Sequence, residues 1–210
     1  MKKTYIFDLD GTLVDSMPTG VGIVLGFLKE KGISYPDDIV ETLTPLGYKG
    51  VAEYFATHFA LDCTAESIFQ LFQEQVVYAY GNTIPLKAGV KETLVRLRGQ
   101  GHGLNVLTAS PRLITELSLK RHGVFELFDN VWSIENFGMT KADPRIYLQA
   151  AERLGVPPTD CVMVDDNVNV LKTAKKVGMQ TVGVYEEATK AAWIEMQKTA
   201  DITVYDFSNI

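Results

Sequence analysis

The sequence is poor in the residues that staple a chain, anchor it in lipid or bind soft metals. It holds two cysteines, Cys63 and Cys161, far apart. That excludes a disulfide framework and fits reduced thiols in a cytosolic protein. Its three histidines, His58, His102 and His122, are scattered, with no zinc-ligand spacing among them. The longest apolar stretch, VGIVLGFL (Val21 to Leu28), is too short to cross a bilayer. The opening MKK reaches Asp8 before any signal-type apolar run develops. A cytoplasmic chain with no membrane partner is expected. The formal net charge is −6 and no basic stripe stands out, which argues against a nucleic-acid partner. A small anionic substrate remains compatible, because a local site can be positive on an acidic protein.

The chain does have enough apolar material for a core without staples: 210 residues, 46% hydrophobic and 22% charged. Six short runs read as strands: TYIFDL, LNVLTA, NVWSI, CVMVDD, QTVGVY and ITVYDF. Several are almost continuously apolar, the pattern of parallel strands covered on both faces. Helix-period segments separate the later strands. In SPRLITELSLKRHG, Ser110 is expected to cap the helix and Pro111 to open it, with Lys120, Arg121 and His122 in the last turn before Gly123. In VNVLKTAKKVGM, Val170, Leu171, Ala174 and Val177 form an apolar stripe that Gly178 ends. The alternation predicts an α/β fold, a doubly wound Rossmann-like parallel sheet.

One region breaks the alternation. Between the first strand and LNVLTA the sequence reads as helices only, near residues 21–31, 39–43, 48–59 and 65–80. Pro18 borders this region on one side and the turn-rich GNTIPLKAG (Gly81 to Gly89) on the other. The expected organisation is a core of residues 1–15 and 86–210, with an inserted α-helical cap subdomain of residues 16–85. Ligands of doubly wound folds bind beyond the carboxyl ends of the strands, so an insertion leaving from strand one is placed like a lid.

The polar residues at those strand ends carry the chemistry. Strand one delivers Asp8 and Asp10; LNVLTAS delivers Thr108 and Ser110; the loop after NVWSI leads to Lys141; CVMVDDN delivers Asp165 and Asp166. Singly, each has a plain explanation: a turn, a helix-cap pair, a strand end, an exposed loop charge. Together they would put four carboxylates, a lysine and a hydroxyl on one rim. Such carboxylates need a compensating cation. Their hard oxygens select Mg²⁺, while Thr108, Lys141 and the N–H groups near Ala109 and Ser110 suit a phosphate.

These segments fall in order as four motifs: FDLDGTLVDS, VLTAS, KADPRIY and VMVDDNVNVLKTAKKVGM. In them the chain resembles the haloacid dehalogenase superfamily, in the branch with a helical insertion that includes phosphoglycolate phosphatase and β-phosphoglucomutase. The resemblance implies a Mg²⁺-dependent phosphatase acting on a small phosphorylated metabolite as a monomer. By motif position, Asp8 would be the nucleophile and Asp10 the general acid and base. Asp8, the backbone carbonyl of Asp10 and Asp165 would hold the metal, with Asp166 as a further carboxylate. Thr108 and Lys141, with Leu9 and Ala109 beside them, would bind the phosphoryl group. In the fourth motif Val164, Asp166 and Asn169 replace the usual glycine, serine and second aspartate, which leaves the outer metal shell open. In LTPLGYKG (Leu43 to Gly50), resembling the family's specificity loop, Tyr48 and Lys49 are candidates to touch the substrate. A phosphomutase is the alternative activity. A non-catalytic scaffold would predict eroded motifs, and these are intact.

Overall fold

β1 (Thr4–Phe7) is the central strand of the fold. It pairs in parallel with β2 (Gly103–Thr108) on one side and with β4 (Cys161–Asp165) on the other. In the computed structural model, which describes residues 2–43 and 46–210, β3 (Asn130–Ser133), β5 (Gln180–Val184) and β6 (Ile202–Val204) complete the sheet. The order is β3-β2-β1-β4-β5-β6 and every pairing is parallel. All six runs read as strands from the sequence are strands. The order reverses at β1, so the ends of β1, β2 and β4 meet at the topological switch point of a doubly wound sheet.

The period-2 alternation of the strands explains how both sheet faces are covered. On one face, Ile6, Leu107, Cys161 and Met163 are buried with Ile146, Tyr147 and Ala150 of α7 (Arg145–Leu154) and Leu171 and Ala174 of α8 (Val168–Lys176). On the other, the Phe7 ring lies 6.3 Å from Phe128 and 6.1 Å from Phe207. Phe207 is tied to the start of α5 (Val90–Gly99). Its N–H donates to the Ala88 carbonyl at 3.1 Å, and its carbonyl accepts from the Thr93 hydroxyl at 2.7 Å. A buried amide bridges three strands: Asn105 Nδ2 donates to the Tyr5 carbonyl, and its Oδ1 accepts from Asn130 Nδ2.

The chain divides into two compact units, Met1–Ser16 with Ile84–Ile210, and Met17–Thr83. The second is all helix: α1 (Met17–Glu30), α2 (Ile39–Leu43), α3 (Gly47–His58) and α4 (Ala65–Asn82). Its core is a knot of rings. Phe27 lies 5.7 Å from both Phe55 and Phe72, and Phe55 lies 6.1 Å from Phe72. Two element ends differ from the sequence expectation. Pro18 lies inside the first turn of α1 instead of bordering it, a place where its missing N–H costs nothing. Gly81 and Asn82 extend α4, where Asn82 Nδ2 donates to the Tyr78 carbonyl at 2.8 Å.

Phe207→Ala should destabilise the sheet unit by about 3–5 kcal/mol, the usual cost of emptying a fully buried aromatic site. Chemical denaturation followed by near-UV circular dichroism checks this; a loss under about 1 kcal/mol would show that the C-terminal turn does not hold that face.

Candidate active site

Lys141 sits in the loop before α7, and burial sets its role. Its Nζ donates to Asp8 Oδ1 at 2.5 Å and to Asp165 Oδ2 at 2.6 Å, so one cation joins the ends of β1 and β4. The loop itself is held by Tyr147, whose hydroxyl donates to the Lys141 carbonyl at 2.7 Å. Burial alone would lower the Lys141 ammonium, but attraction to Asp165 and Asp8 outweighs it and raises the pKa well above the ordinary value. Asp8 stays in the ladder, with its N–H on the Val164 carbonyl at 2.9 Å, and burial pushes its carboxyl up more strongly than Lys141 lowers it. Repulsion from Asp165, Asp166 and Asp10 adds to that rise.

Asp8, Asp165 and Asp166 are all buried and offer carboxylate oxygens within 4.8 Å of one another. Asp166 is pushed up to about 7, first by burial and then by the Asp165 charge. Asp165 and Asp166 do not cap α8. Asn167 does, its Oδ1 accepting the Asn169 N–H at 2.9 Å, which leaves both carboxylates turned to the cluster. Asp165 Oδ1 accepts the Asn167 N–H at 2.8 Å. Asn169 is exposed, so of the three substitutions in the fourth motif it is Asp166 that adds a carboxylate to the cluster. Three buried oxygen donors with one lysine between them fit a hard divalent cation.

Asp10 has a different environment. Its Oδ1 accepts from the Ser16 hydroxyl at 2.7 Å and its Oδ2 from the Ser110 hydroxyl at 2.5 Å. Its carboxylate is outside the three-aspartate cluster, so any metal contact from Asp10 falls to its backbone carbonyl. The bond from Ser110 corrects the capping expectation. Pro111, not Ser110, occupies the N-cap position of α6 (Arg112–Arg121), and its side chain offers no cap bond; the Ser110 hydroxyl donates to Asp10 instead. The Ser110 N–H is also committed, donating to Thr108 Oγ1 at 3.0 Å. Thr108 is buried and shapes the turn, while Ala109 is exposed beyond the end of β2. Leu9 contributes backbone only. Its side chain is fully buried, and its carbonyl accepts the N–H groups of Leu13 and Val14 at 2.8 and 3.0 Å.

Two contacts at this rim escaped the sequence reading. Thr12 Oγ1 donates to Asp166 Oδ1 at 2.9 Å and accepts the Asp166 N–H at 3.1 Å. Gly11 has φ +73°, and a Cβ there would lie 2.8 Å from Asp166 Oδ2. Glycine is required by both the left-handed backbone and the close carboxylate. The DG pair was the available signal, but it also marks an ordinary turn. Tyr48 and Lys49 belong to the helical unit. The expectation of a loop at 43–50 is corrected, because residues 47–50 form the first turn of α3; Thr44 and Pro45 lie outside the described residues. The Tyr48 ring packs 6.0 Å from Phe72, and Lys49 is exposed.

Lys141→Met should cost about 3–5 kcal/mol in metal-free buffer, since it strands buried carboxylates without their cation. Urea denaturation with EDTA present measures it; a loss below about 1 kcal/mol would remove Lys141 as the compensating charge.

The comparisons with known proteins agree with this arrangement. A family model described as haloacid dehalogenase-like hydrolase matches residues 2–178. A phosphoglycolate phosphatase of Xanthomonas campestris is 31% identical over 182 residues, 86% of this chain and 81% of the relative. Hexitol phosphatase B of Escherichia coli K12 is 28% identical, covering 85% of this chain and 82% of its own. Among solved structures, a Thermotoga maritima protein assigned as a β-phosphoglucomutase superposes with a TM-score of 0.84 at 23% identity, over 97% of this chain and 94% of that one. That likeness shows the shared fold. The chain belongs to the haloacid dehalogenase-like hydrolases and sits among that family's phosphatases.

Proposed function

We propose that the chain is a Mg²⁺-dependent phosphomonoester hydrolase that works on a small phosphorylated metabolite through an aspartyl-phosphate. The observation that carries this reading is the unequal treatment of two aspartates one residue apart. Asp8 is buried and ion-paired to Lys141, whereas Asp10 is held by the hydroxyls of Ser16 and Ser110. A nucleophile needs a fixed, charge-stabilised carboxylate, and a proton-transfer group needs an orientation that spares it from that role.

In the first step a carboxylate oxygen of Asp8 forms a bond to phosphorus and the ester P–O bond breaks. The departing alkoxide takes the proton of Asp10 and leaves as an alcohol. In the second step Asp10 takes a proton from water as its oxygen bonds to phosphorus. The acyl phosphate bond breaks, and inorganic phosphate and the Asp8 carboxylate are released. Lys141 offsets charge on Asp8 and on the transferring phosphoryl oxygens. Thr108 and the backbone of Leu9 and Ala109 line the place where those oxygens would sit. Asp8, Asp165 and the Asp10 carbonyl would hold the metal, with Asp166 beside them; bound there, Mg²⁺ would neutralise carboxylates and polarise the phosphoryl group.

The choice of metabolite is assigned in this reading to the helical insertion, where Tyr48 and Lys49 are the proposed contacts. A panel of phosphoglycolate, sugar phosphates and nucleotides, assayed for phosphate release with Mg²⁺, tests the reaction class. Isomerisation of β-glucose 1-phosphate without phosphate release would overturn hydrolysis in favour of the mutase.

Asp8→Asn should abolish turnover with the circular dichroism spectrum unchanged, and near-normal turnover would refute the nucleophile. Asp10→Asn should lose about 10²–10⁴-fold in kcat. Dialysis against EDTA should remove activity and Mg²⁺ should restore it; full activity in the chelated protein would exclude the metal from the reaction.

A further inference from the structure

A second lysine, half-buried, stands near the site, away from the carboxylates that Lys141 serves. Lys87 lies where the chain returns from the insertion. Its Nζ donates to the carbonyls of Gly11 and Tyr185, each at 2.8 Å, and to Glu186 Oε2 at 2.6 Å. Those three bonds use every donor an ammonium has. Its own N–H donates to the Leu13 carbonyl at 3.0 Å. Glu186 is the buried partner, 4% exposed, and its other oxygen accepts the Ala188 N–H at 3.0 Å. The Lys87–Glu186 pair thus joins the loop after β1, the returning chain and the exit of β5.

We propose that Lys87 is a positioning residue for Asp10, acting through the Gly11 carbonyl with Glu186 as its counter-charge. The proposal rests on the reading of Asp10 as the proton donor. Gly11 follows Asp10 directly and is held on three sides. Lys87 takes its carbonyl, the Val14 carbonyl takes its N–H at 3.0 Å, and the Asp166 carboxylate fills the space where a side chain would start. Asp8 needs no such support, because its N–H is already in the sheet ladder on Val164. Losing Lys87 therefore loosens the acid and leaves the nucleophile in place. Displacement of a catalytic group by about 1 Å can cost up to ~10²-fold in rate.

That asymmetry gives a readout that a merely structural residue would not move. Protonation matters for a poor leaving group and little for a good one. Phenyl phosphate and p-nitrophenyl phosphate have similar size and differ in this respect, and kcat/KM reports the first chemical step. Lys87→Met should lower kcat/KM for phenyl phosphate by about tenfold or more while changing that for p-nitrophenyl phosphate by less than about twofold. If this variant does not fold, Lys87→Met/Glu186→Leu, which leaves no unpaired charge, replaces it with the same expectation. An equal fall for both esters, or no change in either, overturns the proposal. Asp10→Asn is measured alongside. If it lacks the leaving-group split, the reading of Asp10 has failed; if it shows the split and the Lys87 variants do not, only the positioning role has failed.

Discussion

Like charges crowded at the end of a buried sheet are the constraint around which this structure is arranged. Asp8, Asp165 and Asp166 share a space of a few ångströms, and one ammonium, from Lys141, lies between two of them. Three anions and one cation leave a deficit that burial makes worse. Burial first, and then repulsion among the carboxylates, push the carboxyls of Asp8 and Asp166 upward. The deficit also describes a carboxylate cluster suited to a small divalent cation. A cluster of this kind is a poor way to stabilise a fold and a good way to prepare a binding site.

Geometry then separates two residues that look interchangeable on paper. Asp8 directly follows β1 and takes its position from β4 through Val164. Asp10 belongs to a tight loop in which Leu9, Leu13 and Val14 bond among themselves, and its carboxylate answers to hydroxyls. Rigidity from the sheet and orientation from the loop are different resources. The proposed two-step displacement, with a proton carried in and out, would use one for each aspartate.

Much of this was legible in the sequence. The strands were, because parallel strands covered on both faces leave nearly continuous apolar runs, as in CVMVDD. The cap helices were, because their aromatic residues recur at helical spacing. The convergence of Asp8, Lys141 and Asp165 was legible from strand ends plus motif order. What stayed hidden depended on partners distant along the chain. Ser110 has the ordinary signature of a helix cap, and only the position of Asp10, 100 residues away, redirects its hydroxyl. Lys87 reads as a surface charge in a turn-rich linker until Glu186 is found beside it, 99 residues on. Gly11 reads as a turn glycine until Asp166 occupies its missing side chain. Tyr48 and Lys49 read both as the start of a helix near 48–59 and, from the family resemblance, as part of a loop at 43–50; the helix is what forms.

The way the helical insertion is attached has a consequence for how such proteins diversify. Where the chain leaves and where it returns, the two strands of the connection are laced together. Asp15 donates to the Pro85 carbonyl, Lys87 to that of Leu13, and Val14 bridges Leu86 in antiparallel fashion. The ends of the insertion are therefore fixed by the sheet unit itself. Closure entropy rises only by about 0.6 kcal/mol for each doubling of an inserted length. An insertion tied off at its base in this manner can be lengthened, shortened or exchanged with little penalty to the strands that carry the aspartates. The catalytic rim and the insertion can then change independently of each other.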